Sequence, residues 1–246
     1  MEFLQLGEQP PLSIVFEDKS LIAVNKPAGQ LFHGYTHGTP TTLVDQVKEY
    51  IRSRSGKTEG IYLGVVHRLD RPVSGLSLFA RNSKIAQRVA EQFQERTLDK
   101  IYLAVVEGED LPDADTLEDE LEGAENPGES KLLKCQLSYQ RLARAGGLSL
   151  VAIRLGSGRR HQIRIQFSKR GWPLVGDTAY GAQSVIVGTE GMDPRFQAIA
   201  LHATALHLSH PLSYTPLKIQ APLPFYWPRL GASLQAASEA YRLSLA

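Results

Sequence analysis

Cysteine is almost absent from this chain. Cys135 stands alone, so no internal disulfide can form, which agrees with a reducing compartment. Long apolar runs are missing too: none approaches the roughly 18 consecutive residues that a membrane-spanning helix needs, so no membrane association is expected. The start, MEFLQLGEQPPLS, has no basic stretch followed by an apolar core. No signal peptide is read there, and a cytoplasmic protein is expected. An excess of one charge is also lacking, since 27 Lys and Arg face 26 Asp and Glu for a net +1. Metal signatures are absent: there is no HExxH and no paired Cys-x-x-Cys. His33 and His37 are four apart, but in a glycine-containing loop, and no metal or organic cofactor is expected. No GxSxG elbow supports a serine hydrolase. No DFG, VAIK or GxGxxG accompanies the HRLD segment, so a protein kinase is excluded as well.

What is present is an ordinary globular composition, 42% hydrophobic and 22% charged, over 246 residues. That length can bury a full core as one large domain or two modest ones. The near-zero net charge hides two blocks. Glu107 to Glu129 holds eleven acids and no base, and reads as a solvated loop. Arg154 to Arg170 holds six Lys or Arg and no acid, a local pattern suited to a polyanion.

Along the chain, Ser13–Phe16 and Leu21–Val24 flank Glu17-Asp18-Lys19 and read as a strand pair. Lys26-Pro27-Ala28-Gly29 breaks regular structure, and His33 to Pro40 reads as loop. Thr42 with Asp45 three residues on opens a helix with Leu43, Val47, Tyr50 and Ile51 as its apolar stripe. Ile61–Val66 and Gly75–Ala80 read as strands. Ser83 is placed as the cap of a helix carrying Ile85, Val89 and Phe93 on one face. Ile101–Val106, Gln136–Leu142 and Leu148–Leu155 follow as strands, and the alternation of the last two suits antiparallel pairing. Arg159–Lys169 reads as a short helix ended by Gly171, and the tail from Leu201 as short strands with Pro-rich connections. Strands and helices interleave without a regular strand–helix–strand period. The fold class is therefore α+β, a large mixed, mostly antiparallel sheet flanked by helices and loops, in a single domain over 1–246.

Two segments can carry chemistry. His67-Arg68-Leu69-Asp70-Arg71-Pro72-Val73-Ser74-Gly75 packs one acid and three potential cations between two apolar strands, where functional side chains concentrate. Its spacing alone is equally that of a charged turn in which Asp70 pairs with Arg68 or Arg71. Gly156-Ser157-Gly158-Arg159-Arg160-His161-Gln162-Ile163-Arg164 lets the backbone turn tightly into a helix start that would suit a phosphate. Its alternative is a solvated basic helix anchored by Ile163 and Phe167. Tyr102 near the start of a strand is by itself a core residue. His202, His207 and His210 read as local hydrogen-bonding groups.

Taken together, these segments resemble the RluA family of RNA pseudouridine synthases. Lys26-Pro27-x-Gly29-x-x-x-His33, HRLDRPVSG at 67–75, Lys100-x-Tyr102-x-Ala104-x-Val106 and GRRHQIR at 158–164 occur in the family's order. Gly176-Asp177-x-x-Tyr180-Gly181, Leu201-His202-Ala203 and His210-Pro211 continue it, so the resemblance runs from about residue 14 to 227. It implies a pseudouridine synthase catalytic fold that isomerises uridine in tRNA or rRNA without a cofactor. Asp70 falls on the catalytic aspartate, Arg68 on the arginine that helps displace the target base, and Tyr102 on the tyrosine packed against the flipped uracil. Arg164 falls on the arginine that pairs with the catalytic carboxylate, and Ile163 on an apolar pocket residue. Arg71, Arg159 and Arg160 are expected on the RNA backbone. Val73, Ser157, Arg160 and Gln166 depart from the family's usual residues but remove no assigned catalytic group.

The chemistry agrees with these assignments. Forming pseudouridine requires cleavage of N1–C1′, rotation of the base and closure of C5 onto C1′. A carboxylate can serve by attacking C1′ or by taking a sugar proton. The base must leave its stack at a cost of a few kcal/mol, which a wedge and a stacking face offset. Only some thirteen residues precede the first strand of the resemblance, so RNA is expected to be held by the catalytic domain alone, with no obligate protein partner evident. Two other classes remain: a non-catalytic RNA-binding module on the same fold, and a glycosidic hydrolase, which normally uses two carboxylates where the HRLD loop offers one.

Overall fold

The computed structural model describes residues 10–34, 42–56, 60–123, 131–192 and 197–245. In chain order the elements are β1 (Ile14–Glu17), β2 (Leu21–Lys26), α1 (Leu43–Ser55), β3 (Gly64–Val65), β4 (Ser74–Ala80), α2 (Ser83–Glu95) and β5 (Asp99–Glu107). They continue with β6 (Ala114–Gly123), β7 (Lys131–Ala145), β8 (Leu148–Leu155), α3 (Gln162–Ser168), β9 (Leu201–Ser209), β10 (Pro216–Gln220) and α4 (Ala232–Ser244). The strands join one sheet in the order β1-β2-β4-β9-β5-β8-β7-β6, with β3 also on β4 and β10 also on β9. All pairings are antiparallel except β4 with β9, so the sheet is mixed and mostly antiparallel as expected. No described helix is long and apolar enough to cross a membrane.

Both faces of the central strands are covered, which is why β2 and β4 read as nearly continuous apolar runs. Successive β5 residues point to opposite faces. Ala104 and Val106 join a core with Leu43, Val47 and Ile51 of α1 and Ile85 and Val89 of α2. Leu103 and Val105 join a second core with Leu150, Ala152, Trp227 and Leu234 of α4. Tyr102 packs against the first core, on the face that also carries the site described below. The α1 start is the expected capping box, with the Asp45 amide donating to Thr42 Oγ1 and the Asp45 carboxylate accepting from the Thr42 amide.

Several expectations are corrected. Over its described part the acidic segment is a loop only at residues 108–113: residues 114–123 are β6, an edge strand. Leu117 and Leu121 are buried on one face while Glu118, Glu120 and Glu122 face outward or along the edge, a charge pattern that keeps an open edge from pairing with other chains. A count of charges missed that alternation. Glu125 and Glu129 lie outside the described residues, as do residues 35–40 of the loop around His33. The α2 cap is Asn82, whose side chain accepts from the Ile85 amide, and Ser83 is the first helical residue. Ile61–Val66 shrinks to the two residues of β3. The tail contains α4, which the sequence reading took for strands and connections. It begins after Gly231 with no side-chain cap, so its start carries no signal.

Gly75 is where the loop before β4 meets β9. Its φ is +117°, and a Cβ there would lie 2.3 Å from the Ala203 carbonyl oxygen. Gly75→Ala should therefore destabilise the protein by at least about 2 kcal/mol, from backbone strain and displacement of the β4–β9 contact together. Thermal unfolding checks this, and a variant that melts with the parent would show slack that this contact does not have.

Candidate active site

The loop between β3 and β4 is tied down from three sides. Lys26, at the end of β2 and fully buried, donates from Nζ to the carbonyls of Pro27 (3.0 Å), Arg71 (3.0 Å) and Val73 (2.7 Å). The Gly29 amide donates to Arg71 O at 2.8 Å while Arg71 Nε donates back to Gly29 O at 2.9 Å. His67 Nε2 accepts the Leu78 amide at 2.9 Å. Between these anchors the Val73 amide donates to Asp70 O at 3.1 Å and closes a turn that presents the Asp70 side chain, 31% exposed, to the cleft. Burial pulls the Lys26 ammonium down to about 7, although the Asp70 charge opposes the shift. Burial likewise holds His67 near 4, so one of the three expected cations of the loop is a neutral brace.

The second segment builds the opposite wall. Gly156-Ser157-Gly158 carries the chain off β8. The Ser157 hydroxyl donates to Gln162 Oε1 at 2.8 Å and accepts the Gln136 amide at 3.0 Å. Gln162 Oε1 also takes the Arg159 amide at 3.2 Å. Gln162 thus takes an amide of the turn before the helix, and α3 begins at Gln162 rather than Arg159, after His161 and with no side-chain cap. Gln166, one of the departures from the family pattern, is buried and donates to Leu117 O and to Asp119, fixing α3 to β6.

Arg164 is buried on α3 and forks onto Asp177, with Nε and Nη2 each 2.7 Å from a carboxylate oxygen. Its Nη1 lies 3.5 Å from Asp70 Oδ2. The expected Asp70–Arg164 pair is present, but as the longer arm of a shared guanidinium whose tight partner is Asp177. Burial opposes the Arg164 charge, and the hydrogen bonds and charge of Asp177 more than restore it, leaving its pKa raised. The guanidinium also stacks on Tyr180, 4.6 Å from the ring centre. Tyr180 Oη is 2.7 Å from His161 Nδ1, and His161 Nε2 is 3.6 Å from Asp70 Oδ2. A hydrogen on Nε2 facing the carboxylate is the favoured tautomer, which makes Tyr180 the donor to Nδ1. Burial lowers the His161 pKa, with the Asp70 charge opposing.

The other expected residues line the same cleft, about 1160 Å³ in volume: Arg68, Arg71, Tyr102, Arg159, Arg160 and Ile163. Burial and the Asp70 charge push the Tyr102 phenol far up, so it presents a neutral ring. Arg68 is exposed and sits 3.1 Å from His33 Nε2. Asp70 is the one carboxylate among the described residues lining the cleft. The basic run is less free than its sequence suggests. Arg154 pairs with Asp99, Lys169 and Arg170 pair with Asp119 of β6, and Arg164 is committed, which leaves Arg159 and Arg160 without an acidic partner among the described residues. Lys26, His161, Asp177 and Tyr180 received no role from the sequence alone. Each stands in a motif that was noticed, but its partner lies 13 to 47 residues away in the chain. His202 and His210 are hydrogen-bonding groups as expected, on Ser74 and Asp18.

Lys26→Met keeps the side-chain volume but takes the ammonium from three carbonyls, leaving the buried Val73 carbonyl without it while Arg71 O keeps the Gly29 amide. It should lower stability by at least about 2 kcal/mol, since each unsatisfied acceptor costs roughly 1–3 kcal/mol. Denaturant unfolding measures the change. An unchanged midpoint would mean that the Gly29–Arg71 exchange holds the loop alone.

Comparison with known proteins agrees with this geometry. Residues 20–169 match the model of a family described as RNA pseudouridylate synthase. The tRNA pseudouridine synthase C of Pectobacterium carotovorum is 33% identical over 85% of this chain, which spans 58% of that relative's length. The protein of the same name from Haemophilus ducreyi is 31% identical, with 89% of this chain and 94% of the relative covered. The ribosomal large subunit pseudouridine synthase D of Zymomonas mobilis is 31% identical over 87% of this chain and 70% of the relative. Among solved structures, human RNA pseudouridylate synthase domain containing 1 superposes with a TM-score of 0.67 at 26% identity, covering 97% of this chain and 98% of that one. Human RNA pseudouridylate synthase domain containing 4 shares the fold with a TM-score of 0.74 over 91% and 93%. With its Asp70 loop, its arginine-bearing helix and these relatives, the chain belongs to the RNA pseudouridylate synthase family, among the RluA-type members.

Proposed function

We propose that this protein converts uridine to pseudouridine in tRNA or rRNA, with Asp70 as the catalytic group. The observation that carries the reading is the placement of Asp70 as the single carboxylate of a large cleft, within 3.5 Å of a buried arginine. The target nucleotide leaves its stack and enters the cleft, and Tyr102 offers a neutral ring against the base. Exposed Arg68 at the mouth takes the space the base vacates. Ile163 closes the apolar side of the pocket. Asp70 then acts on the ribose, by attack at C1′ or by removal of a sugar proton, and N1–C1′ breaks with the electron pair passing to the uracil. The freed base turns so that C5 meets C1′, and the new C–C bond forms as the Asp70–C1′ ester breaks or as the removed sugar proton returns, while the hydrogen on C5 leaves as a proton and N1 takes one up. The atoms of uridine are conserved, so no oxidant or reductant is called for. Arg159 and Arg160, free of acidic partners, are the cations for the phosphate backbone. Arg71 is held in part by Gly29, so its share in backbone contact is smaller. A two-carboxylate hydrolysis has no second acid to use among the described residues of this cleft.

Two variants test the reading. Asp70→Asn should fold like the parent yet release no tritium from RNA labelled at uridine C5, because the amide cannot supply the carboxylate. Substantial release by the folded variant would remove Asp70 from its role, and free uracil as product would point to hydrolysis. Arg164→Ala should lose activity and roughly 3–5 kcal/mol of stability, chiefly because it strands the buried Asp177 charge. Arg164→Lys restores a charge without the fork and should recover stability only in part. An Ala variant as stable as the parent would contradict the assigned geometry.

A further inference from the structure

A second cavity of about 310 Å³ lies against the catalytic cleft and shares Phe93, Arg96, Lys100, Leu155 and Gly156 with it. Lys100 stands at the junction. On β5 it is two residues before Tyr102, and both side chains line the cleft, about 7 Å apart along the strand. That distance is of the order of one extended nucleotide. Lys100 has no hydrogen bond or ion pair to any described residue. Its Nζ sits 5.9 Å from the centre of the Phe93 ring, which is itself stacked on neutral His67. It also approaches Gly158 so closely that a Cβ there would be only 3.6 Å from Nζ. Burial and the neighbouring Arg96 bring the Lys100 ammonium down to about 8. Arg96 holds a left-handed backbone (φ 57°) at the end of α2, a position that usually falls to glycine. Arg154 lines the far wall and is offset by Asp99 at 3.3 Å. Lys100 and Arg96 thus share the junction of the two cavities, where the one acid among the described lining residues of the side cavity, Asp99, is engaged by Arg154. Such a pair is unfavourable until an anion enters.

We propose that Arg96 and Lys100 form a phosphate subsite that grips the RNA backbone next to the flipped uridine and leads the strand from the cleft into this side cavity. The proposal rests on the reading of the protein as an RNA-modifying enzyme and adds a route for the strand that the cations of residues 159–160 do not define. A phosphodiester between Arg96 and Lys100 receives charge-assisted hydrogen bonds from both, while the Tyr102 ring on the same strand faces the base. The spacing of Lys100 and Tyr102 on one strand then links backbone grip to base position. RNA pulled into the side cavity holds the extruded nucleotide in register with Asp70.

The test measures binding of a short oligouridylate by fluorescence anisotropy across a salt series, in an Asp70→Asn background so that no turnover intervenes. Lys100→Met should weaken binding about tenfold, the lower end of what one charge-assisted hydrogen bond supplies. It should also make the log–log salt slope shallower by about 0.7, the loss of one neutralised phosphate on a single strand. Lys100→Arg should keep both, and Arg96→Gln should reproduce the slope change if Lys100→Met fails to fold. Replacing single phosphates by methylphosphonates should identify one linkage whose neutralisation makes Lys100→Met silent. Unchanged affinity and slope in folded Lys100→Met overturn the subsite, as does a methylphosphonate series in which no linkage silences it. The functional reading fails separately, when the unsubstituted protein forms no pseudouridine, whatever Lys100 does to binding.

Discussion

The cleft depends on one guanidinium shared by two carboxylates. Arg164 is gripped by Asp177 through two 2.7 Å hydrogen bonds and reaches Asp70 with its remaining nitrogen at 3.5 Å. The division has a physical consequence. A tight fork onto the catalytic carboxylate would occupy the oxygens that must act on the ribose. With Asp177 providing the geometry, Arg164 supplies Asp70 with charge and leaves its oxygens open. The Tyr180 ring beneath the guanidinium, and His161 bound to the Tyr180 hydroxyl, bring a second group to the same Asp70 Oδ2. An aspartate 1% exposed and well outside the loop thus sets the position of the one that reacts.

The other half of the preorganisation is a buried ammonium. Lys26 spends all three of its donors on backbone carbonyls, two of them in the HRLD loop. The loop anchors itself by burying Leu69 and Val73 in the first core, while Arg68, Asp70 and Arg71 line the cleft. Hydrogen bonds to its backbone from Lys26 add to that burial, with Gly29 and His67. Such a device holds the backbone while leaving the surface free to meet RNA.

Much of this was legible in the sequence, and what was not has identifiable causes. The strands β2, β4, β5 and β8 announce themselves by apolar runs and alternation, and the Thr42–Asp45 box by its spacing. The HRLD and GRRHQIR segments were recognisable because glycines, proline and charge cluster between apolar strands. By contrast β6 was hidden by its charge, since the two leucines that make it a strand are outnumbered by acids. The roles of Asp177 and Lys26 were illegible for a different reason. Each acts through a contact that only the assembled sheet brings about, and neither has a local signature beyond its motif. The Ile85–Val89–Phe93 stripe holds, with Phe93 packed at the edge of the first core, where its ring also supports His67 and lines the cleft.

Charge shows the same limit most clearly. Six cations without an acid between residues 154 and 170 read as a polyanion surface, yet three of them meet Asp99 or Asp119 in space and a fourth is held by Asp177. The acidic strand lies beside α3, not across the molecule from it, so the two blocks that cancel in the net charge also partly cancel locally. Positive potential is therefore left only at particular points. Arg159, Arg160, Lys100 and Arg96 line the same cleft as Asp70, with Lys100 close to Gly158 beside Arg159. A polyanion is steered best by a few cations that lack partners, because paired charges neutralise one another at short range and contribute little beyond a Debye length. For a protein of net charge +1, the pairing of Arg154, Arg164, Lys169 and Arg170 is what makes the remaining cations of the cleft selective for a strand that passes over the carboxylate.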